Sequence, residues 1–228
     1  MMYSEYPVAT AGALMRRVFS WMTVGLVATG LTSFAVNMMP AVQTVVATNS
    51  LVLLVLVAAQ FGLVIYLNVG LKSMSAGAAV LSYLLYSILT GITFSFLLLL
   101  FTPASLALTF FVCAGMFATM AIYGLVTKSD LSGMGTYLLM GLVGLIIAGL
   151  INMFLHSSSM DFVISIIGVI VFTLLTAYDV QMVKQMGMAM IADDAEMTKV
   201  AIVCALRLYL DFVNLFLYLL RFFGQKKD

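Results

Sequence analysis

The chain has 228 residues, of which 64% are hydrophobic and 8% are charged. Soluble domains are about 45–50% apolar and about 25% charged, so this composition excludes an ordinary soluble domain and predicts an all-α, polytopic integral membrane protein. The net charge of +1 gives no argument for nucleic acid as a partner. One histidine without a Cys/His cluster argues against a zinc site, and we expect no cofactor.

The start of the chain has features of an export signal. Arg16 and Arg17 precede an apolar run, as in signal peptides and twin-arginine signals. The run extends over residues 18–39, no A-x-A-like cleavage site follows it, and several comparable runs come later. We therefore interpret it as the first membrane helix.

Seven apolar stretches are each long enough to cross a bilayer, which takes about 20 residues. They cover residues 18–39, 50–71, 76–100, 104–126, 135–155, 162–183 and 200–223. Short polar stretches and prolines separate them, and residues 184–199 form a charged break before the last one. We predict one transmembrane domain over residues 1–228.

The distribution of basic residues predicts the orientation. Lys and Arg in short loops are enriched on the cytoplasmic side of a membrane. The N-terminal side collects Arg16, Arg17, Lys72, Lys128, Lys184 and Lys199, and the opposite side collects Arg221, Lys226 and Lys227. This bias predicts a cytoplasmic N-terminus and, with seven spans, an external C-terminus.

The last apolar stretch, 200–223, carries ionisable residues in its interior. A charge at the centre of a membrane helix costs about 2.5–3.5 kcal/mol on insertion scales. We therefore expect the other helices to shield this one from lipid. Its polar residues recur at helical spacing and share one face: Arg207, Asp211, Asn214, Tyr218 and Arg221.

Asp179 and Asp211 are the only acidic residues placed well within predicted spans. Two carboxylates that share a dry site cannot both ionise cheaply and titrate as a coupled pair, which makes them a candidate proton-sensitive switch. Carboxylate oxygens also suit hard cations, so the pair could hold Ca²⁺ transiently. In an alternative without function, Arg207 pairs with Asp211 four residues later and Asp179 is hydrogen-bonded to Thr176 or to another neighbour.

Five stretches together resemble the Bax inhibitor-1 (transmembrane BAX inhibitor motif) family, specifically its bacterial inner-membrane branch. They are WMTVGLVATG at 21–30, SILTGITFS at 87–95, MFATMAIYGLVTKSDLSGMG at 116–135, IGVIVFTLLTAYDVQ at 167–181 and LYLDFVNLFLYLLRFFG at 208–224. The resemblance spans nearly the whole chain, and the last three stretches are long and specific.

This resemblance implies seven membrane helices with the C-terminal helix at the centre of the other six. It also implies a pH-sensitive calcium leak whose sensor is an aspartate pair, matched here by Asp179 and Asp211. In some members an arginine on the second helix contacts the pair in the closed state. The second stretch here has no arginine, and Lys72 is the only cation nearby; Arg207 is a possible replacement.

Three functions remain open at the level of sequence. The first is a pH-sensitive cation leak for Ca²⁺, supported by Asp179 and Asp211 with Arg207, Asn214, Tyr218 and Thr176 around them. The second is a non-transporting regulator that binds another membrane complex, such as a membrane protease, as some bacterial relatives imply. The third, an intramembrane aspartyl protease, is disfavoured because Leu208-Tyr209-Leu210 precedes Asp211 where such enzymes carry Gly-x-Gly. We therefore expect no enzymatic activity.

Overall fold

The computed structural model describes residues 5–189 and 193–227, without the side chains of residues 5–10, 47 and 72. Within these ranges the fold is all-α, as predicted, and a lone bridge between Phe101 and Lys226 is the one β contact. The helices are α1 (Glu5–Asn37), α2 (Pro40–Thr48), α3 (Ser50–Val69), α4 (Ala76–Leu100), α5 (Pro103–Val126), α6 (Gly135–Leu155), α7 (Ser158–Ala189) and α8 (Asp194–Phe223). The 3-10 turns Gly70–Lys72 and Ser132–Met134 precede α4 and α6.

Among the described residues, seven helices are long and apolar enough to cross a membrane: α1 and α3 to α8. The seven predicted spans are therefore confirmed as helices. The short helix α2 was not predicted, because its nine residues begin at Pro40, where the sequence suggested only a break. Proline is well tolerated in the first turn of a helix, and Asn49 then caps the start of α3 by accepting from the N–H groups of Leu51 and Val52.

Three helices extend beyond their predicted bounds. Helix α1 begins at Glu5 rather than at 18, α7 covers Ser158–Ala189 rather than 162–183, and α8 begins at Asp194 rather than at 200. The stretch 184–199 is thus mostly helical where it is described; residues 190–192 lie outside the described residues. Hydropathy marks only the part of a helix that meets lipid, whereas backbone hydrogen bonds continue beyond it. The side chain of Lys72 also lies outside the described residues.

Helix α8 is the most buried of the seven candidate spans. In its most apolar 18-residue segment, 67% of the residues are buried, against 39% in the corresponding segment of α7 and 6% in that of α3. Leu206, Leu208, Tyr209 and Leu215 are almost completely inaccessible. The prediction that the C-terminal helix is shielded by protein is confirmed. Both free cysteines, Cys113 and Cys204, are buried.

The described residues divide into two compact units, and the division falls within α8. The N-terminal unit contains residues 5–102, 187–189, 193–209 and 226–227, and the C-terminal unit contains 103–186 and 210–225. The prediction of one domain over 1–228 stays a prediction.

In the N-terminal unit, α1 and α4 pack closely. A Cβ on Gly91 would meet the backbone of Thr29, so the absence of a side chain at this glycine permits the close approach of the two helices. The Thr29 hydroxyl lies 2.7 Å from the Tyr209 hydroxyl, and the rings of Tyr83 and Tyr86 meet Tyr209 edge to face. Polar and aromatic contacts therefore join α1 and α4 to the first half of α8.

In the C-terminal unit, α5 packs against both α7 and α8. A Cβ on Gly124 would meet the backbone of Ala177, so α5 and α7 approach at that point. The ring of Phe212 lies between those of Phe110 and Phe117, with centroid distances of 5.6 and 5.5 Å. These contacts place the second half of α8 beside α5.

Candidate functional site

The two candidate sensor residues lie in membrane-spanning helices of the C-terminal unit. Asp179 is on α7, about three turns before that helix ends at Ala189. Asp211 is on α8, about three turns before that helix ends at Phe223. Their exposed fractions are only 8% and 5%. Each takes part in a hydrogen bond, ion pair or other electrostatic interaction, which is required of carboxylates at such depth.

Thr176, one turn before Asp179, is fully buried. Its hydroxyl donates to the carbonyl of Phe172 in the same helix, at 2.8 Å. A hydroxyl that donates to its own helix has no second proton for a carboxylate. Thr176 therefore does not donate a hydrogen bond to Asp179, and the functionless alternative then requires another neighbour as the partner of Asp179.

The residues of the predicted polar face of α8 differ in environment. Arg207 is exposed, Asp211 is buried, and Asn214 and Tyr218 are partly buried. The amide nitrogen of Asn214 donates to the carbonyl of Leu210, at 2.8 Å, so its oxygen remains as an acceptor. Arg207 has a polar or electrostatic interaction of its own. Along this face, exposure therefore falls from Arg207 to Asp211 within one turn of the helix.

The segment of α7 around Asp179 is held by the α5–α6 turn, residues 127–134. The buried side chain of Gln181 donates to the Ser129 carbonyl at 2.9 Å and accepts from the Leu131 N–H at 2.7 Å. The Lys184 ammonium donates to the carbonyl of Leu125 at 2.6 Å, a favourable place for a cation because helix C-termini carry partial negative charge. The turn and α7 are therefore joined within two turns of Asp179.

The α5–α6 turn is itself ordered by Asp130. Its carboxylate accepts from the N–H of Ser132 at 2.9 Å, a local turn typical of aspartate. The backbone N–H and the hydroxyl of Ser132 together lower the pKa of this exposed carboxyl. The sequence analysis assigned no role to Asp130 or Gln181. The signals available were the stretches 116–135 and 167–181, which contain them and carry part of the family resemblance.

Tyr218 is fixed on three sides. Its ring stacks on Phe172, with centroids 5.8 Å apart, and its face lies 5.8 Å from the guanidinium of Arg221. A Cβ on Gly168 would meet the Tyr218 ring at 2.6 Å, so glycine is needed there. Arg221 in turn pairs with Asp161, with Nη1 and Oδ1 2.9 Å apart. The polar face of α8 thus ends in an ordered aromatic and ionic cluster.

Comparison with known proteins identifies the chain's relatives. A sequence profile described as "Inhibitor of apoptosis-promoting Bax1" matches residues 12–228. The Escherichia coli K12 protein named "Inner membrane protein YbhL" is 44% identical over 222 residues, which cover 97% of this chain and 95% of that protein.

Two uncharacterised bacterial proteins are similar over almost the same length. One from Borreliella burgdorferi is 44% identical over 215 residues, 94% of this chain and 92% of its own length. One from Deinococcus radiodurans is 39% identical over 214 residues, 94% of this chain and 90% of its own length. With seven apolar helices and a family match over nearly its entire length, the chain belongs to the Bax inhibitor-1 family of membrane proteins.

Proposed function

We propose that the protein is a pH-sensitive leak for cations, Ca²⁺ in particular, with Asp179 and Asp211 as its sensor. The observation that carries the proposal is the burial of two carboxyl groups, 8% and 5% exposed, inside membrane-spanning helices of one compact unit. Ionisable groups at such depth are expensive, and their default interpretation is functional.

Protonation is the switching event in this proposal. A proton that binds either carboxylate removes a negative charge and turns an acceptor-only group into a donor. Such a change biases an equilibrium between two packings by altering its free energy. In the ionised form the carboxylate oxygens attract a hard cation, and the Asn214 amide oxygen, on the same face of α8, adds a neutral ligand of the type calcium accepts.

The α5–α6 turn supports this proposal by restraining α7 next to Asp179. Gln181 and Lys184 bind the backbone of that turn and of α5, and Gly124 meets Ala177. A sensor responds sharply when the surrounding structure offers discrete packings rather than continuous deformation. The contacts on both sides of Asp179 supply that stiffness.

We propose a bacterial inner-membrane location with a cytoplasmic N-terminus. The printed name of the E. coli relative supports the location, and the excess of Lys and Arg on the N-terminal side supports the orientation. Asp179 then lies in the cytoplasmic half of its helix, and Arg221 lies near the external surface.

The test is calcium flux into liposomes that contain the purified full chain, across roughly pH 6 to 8. Asp179→Asn and Asp211→Asn keep the size of the side chain and remove its titration, so we expect a flux that no longer changes with pH. Glu196→Gln is the matched control because it removes an exposed carboxylate outside both the aspartate pair and the α5–α6 turn, and its flux profile should equal that of the wild type.

Two results would contradict this function. Identical profiles for the wild type and both Asn variants would exclude the aspartates as the sensor. No flux by the folded wild type at any pH would exclude the leak itself and favour a non-transporting regulator of another membrane complex, to be sought by co-purification. Cleavage of a transmembrane reporter by the wild type alone would instead indicate a protease.

A further inference from the structure

A cavity of about 420 Å³ lies in the C-terminal unit, lined by α6, α7, α8 and the turn between α6 and α7. We call it the α6–α8 cavity. Its lining is Leu145, Gly149, Asn152, Met153, His156, Asp161, Ile164, Tyr218 and Arg221. The volume falls in the range of about 300–1,000 Å³ that is typical of small-molecule sites.

The cavity is polar at one end and apolar at the other. His156, Asp161 and Arg221 lie where α6 ends, α7 begins and α8 ends, which is the level at which membrane spans reach the headgroup layer. Leu145, on the apolar side, is about 15 Å from the end of α6 along its axis. A ligand that fills this space has a polar head and an apolar body.

The α6 side of the cavity is open to the surface of the protein. Gly149 and Met153 line the cavity and are exposed on the surface of α6, which in a membrane-spanning helix is a surface that meets lipid. The absence of a side chain at Gly149 leaves room there for an acyl chain. An amphiphile could therefore enter sideways from the bilayer.

The polar end presents both signs of charge. Arg221 and Asp161 pair through one hydrogen bond of 2.9 Å, and their side chains are 49% and 56% exposed. A guanidinium has five N–H groups and a carboxylate accepts several hydrogen bonds, so both keep capacity for a ligand. A purely anionic ligand would be repelled by the Asp161 carboxylate, whereas a zwitterion can place its phosphate on Arg221 and its ammonium on Asp161.

The remaining polar groups are held in place around this pair. The oxygen of Asn152 accepts from the Ser157 N–H at 3.1 Å, which leaves its amide nitrogen as a donor beside the cavity. His156 is placed by its left-handed backbone, with φ 51°, at the end of α6. Tyr218 is fixed by Phe172 and Gly168. A site whose walls are already ordered loses less entropy on binding.

We propose that the α6–α8 cavity binds a zwitterionic phospholipid of the phosphoethanolamine class, with its phosphate on Arg221 and its primary ammonium on Asp161. The acyl chain lies along Gly149 and Leu145. The primary ammonium matters because it donates hydrogen bonds to a carboxylate, which a quaternary choline headgroup cannot do. The site is independent of the proposed leak, since it requires only that the protein resides in a bilayer.

Native mass spectrometry of the delipidated full chain in detergent tests the proposal. Lipids with identical acyl chains and phosphoethanolamine, phosphocholine or phosphoglycerol headgroups are added in equal amounts. We expect the phosphoethanolamine lipid to be retained better than the phosphocholine lipid by a factor of up to about five, the upper end for one half-exposed charge pair. It should also be retained better than the phosphoglycerol lipid.

Four variants separate the roles of the charges. Asp161→Asn should abolish the preference for phosphoethanolamine over phosphocholine, and Asp161→Glu should restore it. Arg221→Gln should weaken both lipids equally because both carry a phosphate. Asp130→Asn, which removes an exposed carboxylate from the α5–α6 turn, should behave as the wild type. The Asp161→Glu result guards against misfolding as the explanation for Asp161→Asn.

Several outcomes would overturn the proposal. Equal retention of the phosphoethanolamine and phosphocholine lipids by the wild type, or an unchanged preference in Asp161→Asn, would exclude recognition by Asp161. Stronger retention of phosphoglycerol would indicate an anion site. Displacement of the lipid by free phosphoethanolamine at equal concentration would indicate a soluble zwitterion rather than a lipid as the ligand.

Discussion

Gly124 is the position where one methyl group should most clearly disturb the helices that hold Asp179. A Cβ there would lie 3.1 and 3.2 Å from the carbonyl carbon and Cα of Ala177 and closer still to its carbonyl oxygen. These atoms are backbone, so they cannot rotate away, and α5 and α7 must separate by roughly 0.5–1 Å. A gap of that size already loses a quarter to a half of the dispersion energy of the contacts it opens.

The expected cost follows from two opposing terms. Overpacking of this kind costs about 1–3 kcal/mol, while alanine in place of a helical glycine gains up to about 1 kcal/mol. Gly115 on the same helix isolates the second term, because a Cβ there would meet nothing within 4 Å. We therefore expect Gly124→Ala to be less stable than Gly115→Ala by about 1–3 kcal/mol in the free energy of unfolding.

The assay is unfolding of the two variants and the wild type by titration with sodium dodecyl sulfate in mixed micelles, followed by circular dichroism. Gly115→Ala should match or exceed the wild type in stability, and Gly124→Ala should fall below it. Equal stability of the two variants would refute the inferred backbone contact between α5 and α7.

The remaining predictions concern the α5–α6 turn. Gln181→Met keeps the size of the side chain and removes both hydrogen bonds to the turn. The buried Leu131 N–H then loses its partner, at a cost of about 1–3 kcal/mol. We expect faster hydrogen exchange at the Leu131 amide, and an unchanged exchange rate would contradict the contact. The Asp130 carboxyl, whose pKa is lowered by Ser132, should titrate below the usual aspartate value in carbon-13 NMR, and Ser132→Ala should raise its pKa. Because the pKa of Asp130 is lower in the folded state, the ionised carboxylate stabilises the turn at pH values above the unfolded-state pKa. That stabilisation is lost as pH falls through the folded-state pKa. A pKa of Asp130 that Ser132→Ala leaves unchanged would show that the Ser132 hydroxyl does not lower it.

The all-α fold and the seven spans could be predicted because lipid imposes one simple rule. A segment of about 20 apolar residues has to satisfy its backbone hydrogen bonds internally, and a helix does so. The burial of the last helix was predictable for a related reason, since Asp211 within an apolar stretch cannot face lipid cheaply. Hydropathy could not place helix ends, because α7 and α8 continue through polar residues such as Lys184 and Asp194.

What only the tertiary structure decided is which polar side chains contact one another. The predicted polar face of α8 is a row of positions along one helix, and periodicity alone could not show that Asp211 is buried while Arg207 is exposed. The pairing of Arg221 with Asp161 and the contacts of Gln181 with the α5–α6 turn join residues far apart in the chain. Such contacts depend on how helices pack, and packing is set by shape at positions such as Gly124 and Gly168 rather than by local sequence pattern.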